Sequence, residues 1–315
     1  MSISIDVVVP TYGGWELTGR CLAHLRKQTV EHVVIVSDNG STDGTPDRVR
    51  ELFPEVHLIE TGGNYGFAVA CNRGAAAGTG DIVVLMNNDV VCRPDFLERI
   101  AAPFENERVG LVAATLVQPD EVTIDGAGIV ADVTLAGFSR LHKHASEQAT
   151  LGQGSALTGP SGGAGAYRRV AWNAVGGLDE RIFIYSDDLD LAFRVRSEGW
   201  EAAIAPEAVG IHLGSATMGP RTAWQRYHAG RSRGYLLRRY GVFRTRAAAR
   251  ALATEAIVVV GDAVISHDLS AVRGRVAGWQ QARGLPRRSM PPPDAVDASI
   301  GFLESLRLRR AAYAR

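Results

Sequence analysis

Five short apolar runs recur through the first 117 residues: ISIDVVV (3–9), HVVIVSD (32–38), VHLIE (56–60), DIVVLMN (81–87) and VGLVAATLV (109–117). Each is too short for a typical helix and nearly continuous rather than alternating, which is the pattern of a strand covered on both faces. Such strands belong inside a parallel sheet between two helical layers. The segments between them fit. In TPDRVRELF, Thr45 is a candidate N-cap, Pro46 takes the first helical position, and Val49, Leu52 and Phe53 fall on one face. PDFLERIAAPF (94–104) repeats the scheme with Phe96, Leu97 and Ile100 inward. The alternation predicts a doubly wound α/β fold.

Beyond residue 117 the pattern loosens. Glycines and short β-like pieces between about 118 and 165 suggest a loop-rich, partly antiparallel extension of the same sheet. Helices are expected at 167–176 and 187–198, and two short strands at EAAIA and AVGIH (208–212). After about 220 the chain reads as helical, broken at MPPPDA (290–295) and ending in a helix over 298–312.

The chain has 315 residues, 46% apolar and 22% charged, with zero formal net charge. That is a soluble globular composition, and its neutrality argues against a dedicated nucleic-acid binder. Neutrality hides an asymmetry: nine arginines and no acid lie between Ala208 and Thr254. Cys21, Cys71 and Cys92 lack metal-ligand spacing and read as small core residues in a reducing compartment. The N-terminus shows no secretory pattern. AIVVVGDAVI (256–265) contains Asp262 and is about half a membrane span. A cytoplasmic protein is expected, with attachment to the inner membrane face open. Residues 221–250 alternate Arg with Trp, Tyr and Leu and are the candidate for that contact, for a grip on the diphosphate of a lipid-linked acceptor, or for a homodimer interface, or are a solvated basic face.

In open parallel sheets ligands bind beyond the carboxyl ends of the strands. Polar clusters fall there: PTYGG after the first run, DNGSTDGT after the second, TGGNYGFAVACNRG after the third and NND after the fourth. Turn chemistry accounts for any one of them alone. The chain lacks G-x-x-x-x-G-K-[ST] and G-x-G-x-x-G after the first strand, which disfavours P-loop nucleotide hydrolysis and dinucleotide-dependent redox chemistry. Asp38 remains able to accept from a ribose or base. NND (87–89) presents side-chain oxygens at i and i+2, suited to a hard divalent cation that takes further ligands from water and phosphate. His212 is a candidate imidazole ligand, tilting the choice toward Mn2+ without excluding Mg2+.

FIYSDDLDLAFRVRSEGW (183–200) concentrates three aspartates. With Ser186 as cap, Asp187 and Asp188 occupy the first helical turn, where the helix dipole favours carboxylates. Capping does not need three acids. Asp188 and Asp190 point about 200° apart on a helix, so one faces a cleft and the other pairs within the protein, with Arg194 at i+4 as partner. An ionised aspartate at a cleft mouth is what a general base requires.

Taken in order, VVVPTYGG, VSDNGSTDGT, GGNYGFAVACNRG, VVLMNNDV, GAYRRVAWNAVGGLDERIFIYSDDLDLAFRVRSEGW and HAGRSRGYLLRRYG resemble the family 2 inverting glycosyltransferases of the GT-A fold, especially the bacterial rhamnosyltransferase-like branch. The likeness spans most of residues 5–240. It implies a catalytic domain over 1–219, with a nucleotide-binding half (1–117) and an acceptor-binding half (118–219), and a helical extension over 220–315. It implies a nucleotide diphosphate sugar donor, UDP- or dTDP-linked, and a hydroxyl acceptor that is a glycan, a lipid-linked molecule or a small natural product. Thr11, Tyr12, Asp38 and Asn39 would hold base and ribose, with Asn64, Gly66, Asn72 and Arg73 near the diphosphate. Asn88 and Asp89 belong to the triplet that stands where relatives carry D-x-D. Asp89 and His212 would ligate Mg2+ or Mn2+, with Asn87 in place of the first acid. Gly163 would line the acceptor pocket, Asp187 would orient the acceptor, and Asp188 would be the base. A degenerate nucleotide-sugar-binding protein and a nucleotidyltransferase are the competing readings.

Overall fold

The computed structural model describes residues 3–145, 156–214 and 222–313. Its centre is a nine-stranded sheet built from β1 (Ile5–Thr11), β2 (Val33–Asp38), β3 (His57–Glu60), β4 (Ile82–Met86), β5 (Val90–Cys92), β6 (Val109–Val117), β7 (Ile124–Gly126), β10 (Ala164–Arg168) and β11 (Glu201–His212). The order is β3-β2-β1-β4-β10-β6-β11-β5, with β7 beside β6. β1, β2, β3, β4, β6 and β11 share one direction, while β5, β7 and β10 oppose it. The first four strands match the parallel expectation. β10, from the glycine-rich second half, inserts antiparallel between β4 and β6, so both halves of the chain build one sheet. β8 (Ile129–Ala131) and β9 (Gly137–Ser139) form a separate hairpin.

Two-residue periodicity divides the apolar strands between the two layers. Val7, Val9, Val84 and Met86 pack on one face, with α1 (Trp15–Leu25), α2 (Thr45–Leu52) and α4 (Phe96–Ala101). Val8, Val83 and Leu85 pack on the other, with α3 (Phe67–Ala77), α5 (Arg169–Val175) and α6 (Asp187–Ser197). The three cysteines are free and buried.

Local differences from the sequence reading have simple causes. Gly44, not Thr45, precedes α2 in a left-handed conformation, and Thr45 Oγ1 instead donates to Asp43. The helix at 94–104 is α-helical only to Ala101 and finishes as a 3-10 turn, beside Pro103. The expected helix at 167–176 gives its start to β10, because Ala166 and Tyr167 complete the ladder with β4 and β6. EAAIA and AVGIH are one strand, β11, with a register shift around Pro206.

The C-terminal part packs α7 (Ala223–Arg239) against α9 (Ser270–Gln281), with α8 (Ala248–Ser266) and α10 (Phe302–Tyr313) alongside. Contact between α7 and α9 is backbone-close: a Cβ on Gly278 would sit 1.8 Å from the Arg231 carbonyl oxygen. Residues 222–250 are thus only in part an open basic face, with Arg244 and Arg246 exposed. Arg233 and Arg239 are buried, and Arg233 donates to Glu255 and to the carbonyls of Thr134 and Leu135. The expected boundary at 219/220, and residue 221 of the proposed membrane stretch, lie outside the described residues.

Candidate active site

The carboxyl ends of β1 to β4 converge on one rim, cross-linked by side chains. Asp38 accepts from the backbone N–H of Gly40 and Ser41 at 3.1 and 2.9 Å and from the Ser41 hydroxyl, which fixes the loop after β2. Asn39 donates to Asn64 Oδ1 and to the Gly66 carbonyl, both at 3.1 Å, and accepts from Thr61 and from the Tyr65 N–H. Asn64 in turn accepts from Gly66 N–H. Gly66 has φ 96°, and a Cβ there would meet the Phe183 carbonyl at 2.6 Å, so this position needs glycine for conformation and for space. Thr11 and Thr18 both accept from the Asn88 amide, at 3.1 and 3.0 Å, tying β1 to the end of β4. Tyr12 is 58% exposed on this rim. Arg73 donates to the Thr61 carbonyl and lies over the Tyr65 ring. Asn72 points elsewhere: its amide pairs with both backbone groups of Leu178 and donates to Glu180. It fixes the 178–180 segment, and its donors are not turned to the rim.

Next to the rim lies a cleft of about 460 Å3, within the range of small-ligand sites. Asn87, Gly163, Asp187, Asp188 and His212 all line it, so residues far apart in sequence meet there. Gly163 accepts from the Asn87 N–H through its carbonyl, and a Cβ on it would lie 2.7 Å from Leu116.

The acidic helix enters through two consecutive non-glycine residues in the left-handed region, Tyr185 (φ 68°) and Ser186 (φ 59°). This conformation is costly and tends to mark functional turns. Ser186 precedes the helix but makes no side-chain capping bond, contrary to the sequence expectation. Instead Asp188 accepts from the Gly162 N–H at 2.8 Å and from the Leu189 N–H at 2.7 Å. Burial nevertheless raises the Asp188 carboxyl above its ordinary value, with these N–H donors opposing the shift. Asp187 is pushed up further, by burial and then by the charge of Asp188, and its Oδ2 has no hydrogen-bond partner. Asp190 takes the opposite side of the helix, as the spacing implied. It is fully buried, paired with Arg194 at 2.8 Å and with Arg288, and accepts from the Tyr240 hydroxyl at 3.0 Å.

On the other wall, His212 Nε2 faces Asp89 Oδ2 at 3.3 Å, and His212 Nδ1 lies 2.8 Å from Asp125 Oδ2. Burial would depress this imidazole, but the two carboxylates overcome it and raise it to about 10. Asp89 Oδ1 is buried without a hydrogen-bond partner. An orphaned buried carboxylate oxygen beside an imidazole is a donor set that fits a divalent cation. Among the described residues no three His, Cys, Asp or Glu side chains form a preassembled cage.

Asp125 and Arg288 escaped the sequence reading. Asp125 sits in TIDGAG on the short strand β7, and nothing local in the sequence links it to His212, 87 residues away. Arg288 lies beyond the stretch covered by the resemblance, yet its guanidinium bridges Asp190 and Asp179 and so fixes the back of the helix carrying Asp188.

The sequence model of Glycosyl transferase family 2 matches residues 6–173. The N-acetylglucosaminyl-diphospho-decaprenol L-rhamnosyltransferase of Mycobacterium tuberculosis is 31% identical over 235 residues, covering 67% of this chain and 76% of that protein. The beta-monoglucosyldiacylglycerol synthase of Synechocystis is 28% identical over 207 residues, covering 61% and 40%. Among solved structures, the mannosyltransferase PcManGT from Pyrobaculum calidifontis in complex with GDP-Man and Mn2+ superposes with a TM-score of 0.54 at 20% identity, covering 88% of this chain and 84% of that one. GalNAc-T7 with UDP, GalNAc and Mn2+ gives 0.59 at 14% identity, covering 80% and 51%. With the rim and cleft described above, these matches place the chain in glycosyl transferase family 2, as a GT-A-fold enzyme that transfers a sugar from a nucleotide sugar.

Proposed function

We propose that the protein is an inverting glycosyltransferase in which Asp188 is the general base. The observation that carries this reading is the contrast along one helix: Asp190 is neutralised by two arginines, whereas Asp188 faces the cleft with backbone N–H donors and, among the described residues, no paired cation. Such a carboxylate can take the proton of an acceptor hydroxyl as the hydroxyl attacks the anomeric carbon. The new glycosidic bond forms on the face opposite the departing nucleotide diphosphate, and configuration inverts. Base assistance of this kind contributes roughly 10²- to 10⁴-fold.

Asp89 and His212 would hold the cation, with Asp125 fixing the imidazole ring. Bound there, Mg2+ or Mn2+ supplies positive charge for the diphosphate; the two structural neighbours named above carry Mn2+. The exposed Tyr12 ring is suited to a nucleobase, Asp38 and Asn39 shape the ribose side, and Arg73 is the rim cation for phosphate. Thr11, Asn64, Gly66 and Asn88 hold this frame. Asp187, its carboxyl raised well above the ordinary range by burial and by the charge of Asp188, can in its protonated form donate a hydrogen bond that orients the acceptor beside Gly163. A lipid-linked diphospho-sugar acceptor is favoured by the Mycobacterium relative, whose name gives one.

The test is transfer from a panel of UDP- and dTDP-sugars, with Mg2+ or Mn2+, to a diphospholipid-linked sugar and to its water-soluble analogue. Product NMR should show inverted anomeric configuration. Retention would refute the mechanism, and a donor that binds without turnover under every condition would favour the degenerate binding protein.

A further inference from the structure

α8 is built inside out. Its polar residues Thr254, Glu255 and Asp262 are buried, while Leu252, Ile257, Val260, Val264 and Ile265 are exposed, the last at 75% of its surface. The reversal has a clear inner cause. Glu255 is held at 2.8 to 2.9 Å by Arg233, Arg275 and Arg309, and Arg226 faces Asp262 at 3.8 Å, so the arginines of the neighbouring helices demand acids on α8's inner face. No such cause explains the outer face. Over four turns it carries no charge among its exposed residues, and Leu269 just past its end and Leu303 of α10 are exposed as well, the latter at 78%. Surfaces in contact with water rarely gather this much contiguous aliphatic area.

The charge around this face decides what covers it. Between residues 241 and 310 the exposed cations include Arg244, Arg246, Arg273, Arg283, Arg307 and Arg310, against the exposed acids Asp294 and Glu304. Arg310 lines, with Ile257, Ile265 and Leu306, a groove of about 690 Å3 between α8 and α10, which brings a cation directly to the edge of the apolar surface. A second copy of the chain docked face to face would bring these arginines against each other. An anionic bilayer complements both properties: acyl chains accept the aliphatic side chains and headgroup phosphates accept the guanidinium groups. Trp279, exposed on α9 beside Arg238, has the amphipathic ring suited to the headgroup level. No helix among the described residues is long and apolar enough to cross a membrane, so the mode of contact is lying in the interface.

We propose that α8, with the adjoining outer faces of α9 and α10, docks the enzyme on the surface of an anionic lipid bilayer. The inference stands on the C-terminal helices and deepens the reading of a lipid-linked acceptor. α7 joins the two regions: Ser232 donates to the Ile184 carbonyl, and Trp224 packs edge-on and His228 tilted against Phe183 at the turn leading to Asp188. The docking helices are thereby packed onto the element that borders the cleft.

The experiment is vesicle flotation of the full chain with phosphatidylglycerol-containing and pure phosphatidylcholine vesicles, at low and high salt. Wild type should float with the anionic vesicles, less so at high salt, and bind the neutral ones weakly. Ile265→Glu and Val260→Glu change exposed positions and should each weaken partitioning roughly 10- to 100-fold, as expected for withdrawing one buried aliphatic side chain and adding a charge. Arg273→Glu should remove part of the salt-sensitive component. Failure of wild type to float at low salt, or flotation unaffected by both α8 substitutions, overturns the proposal. So does a wild-type dimer in light scattering that the same substitutions dissociate while flotation is absent. Transfer to a water-soluble acceptor should be unchanged in the α8 variants; loss of transfer in wild type with flotation intact would sink the catalytic reading and leave the docking one standing.

Discussion

Acidic residues are treated in opposite ways in the cleft and in the C-terminal bundle. In the bundle and behind α6, every buried acid described meets arginine: Glu255 has three, Asp190 has two, Asp179 has Arg181 and Arg288, and Asp132 has Arg250. Burial would raise Glu255 and Asp179, but their arginines, and for Asp179 first the Tyr235 hydroxyl, hold them below the usual carboxylate range, Asp179 at about 2. In the cleft, burial dominates, and Asp187 and Asp188 are raised. Buried carboxyl groups left without cations are a cost to stability. Compensated acids hold the fold together, and the uncompensated pair is the one to which the proposed mechanism gives chemistry.

That division can be broken most forcefully at Asp190. Asp190→Asn leaves Arg194 without its buried counter-charge and Arg288 with Asp179 alone, and should destabilise the protein by about 3–5 kcal/mol, read as a large fall in Tm. At Asp125 the effect is smaller and local. Asp125→Asn should weaken Mn2+ binding by roughly 10- to 100-fold, as loss of a ligand's orienting partner does, with little change in Tm, measured by calorimetry in the presence of a nucleoside diphosphate. Smallest is Asp187→Asn. Because the folded-state pKa of Asp187 lies above the unfolded one, the native protein binds the proton more tightly and loses stability as pH rises through that value. Replacing it with the neutral amide should raise Tm near neutral pH by a few degrees, about what 1 kcal/mol gives in a domain of this size, and flatten stability between mildly acidic and neutral pH. A fall in Tm would place Asp187 with the compensated acids.

The parallel half of the fold was legible in sequence because continuous apolar runs and period-two packing leave few alternatives. Fitting β10 between β4 and β6 was not, since GAGAY carries little β propensity and is ordered by its two neighbouring strands. The opposite faces of Asp188 and Asp190 followed from helical geometry alone, and so did the Arg194 partner. Arg288, Asp125 and the inverted α8 depended on distant contacts that no local pattern encodes. The arginine-rich segment hid its partners for the same reason: Arg233 and Arg226 meet acids of α8, and Arg250 meets Asp132, all distant in the chain. Asn72 was placed by resemblance, and its amide is engaged by Leu178 and Glu180.

The central claim rests on Asp188 as the group that takes the proton. The direct measurement is the transfer rate of Asp188→Asn, with donor affinity and Tm checked on the same preparation. The account predicts a loss of about 10²- to 10⁴-fold in kcat with donor affinity and Tm retained. In wild type, kcat/KM should fall with decreasing pH through a value above the ordinary aspartate range of about 3.9, because burial favours the protonated carboxyl that cannot accept. A variant that keeps more than about a tenth of the wild-type rate, or an acid limb that persists unchanged in it, would contradict the assignment.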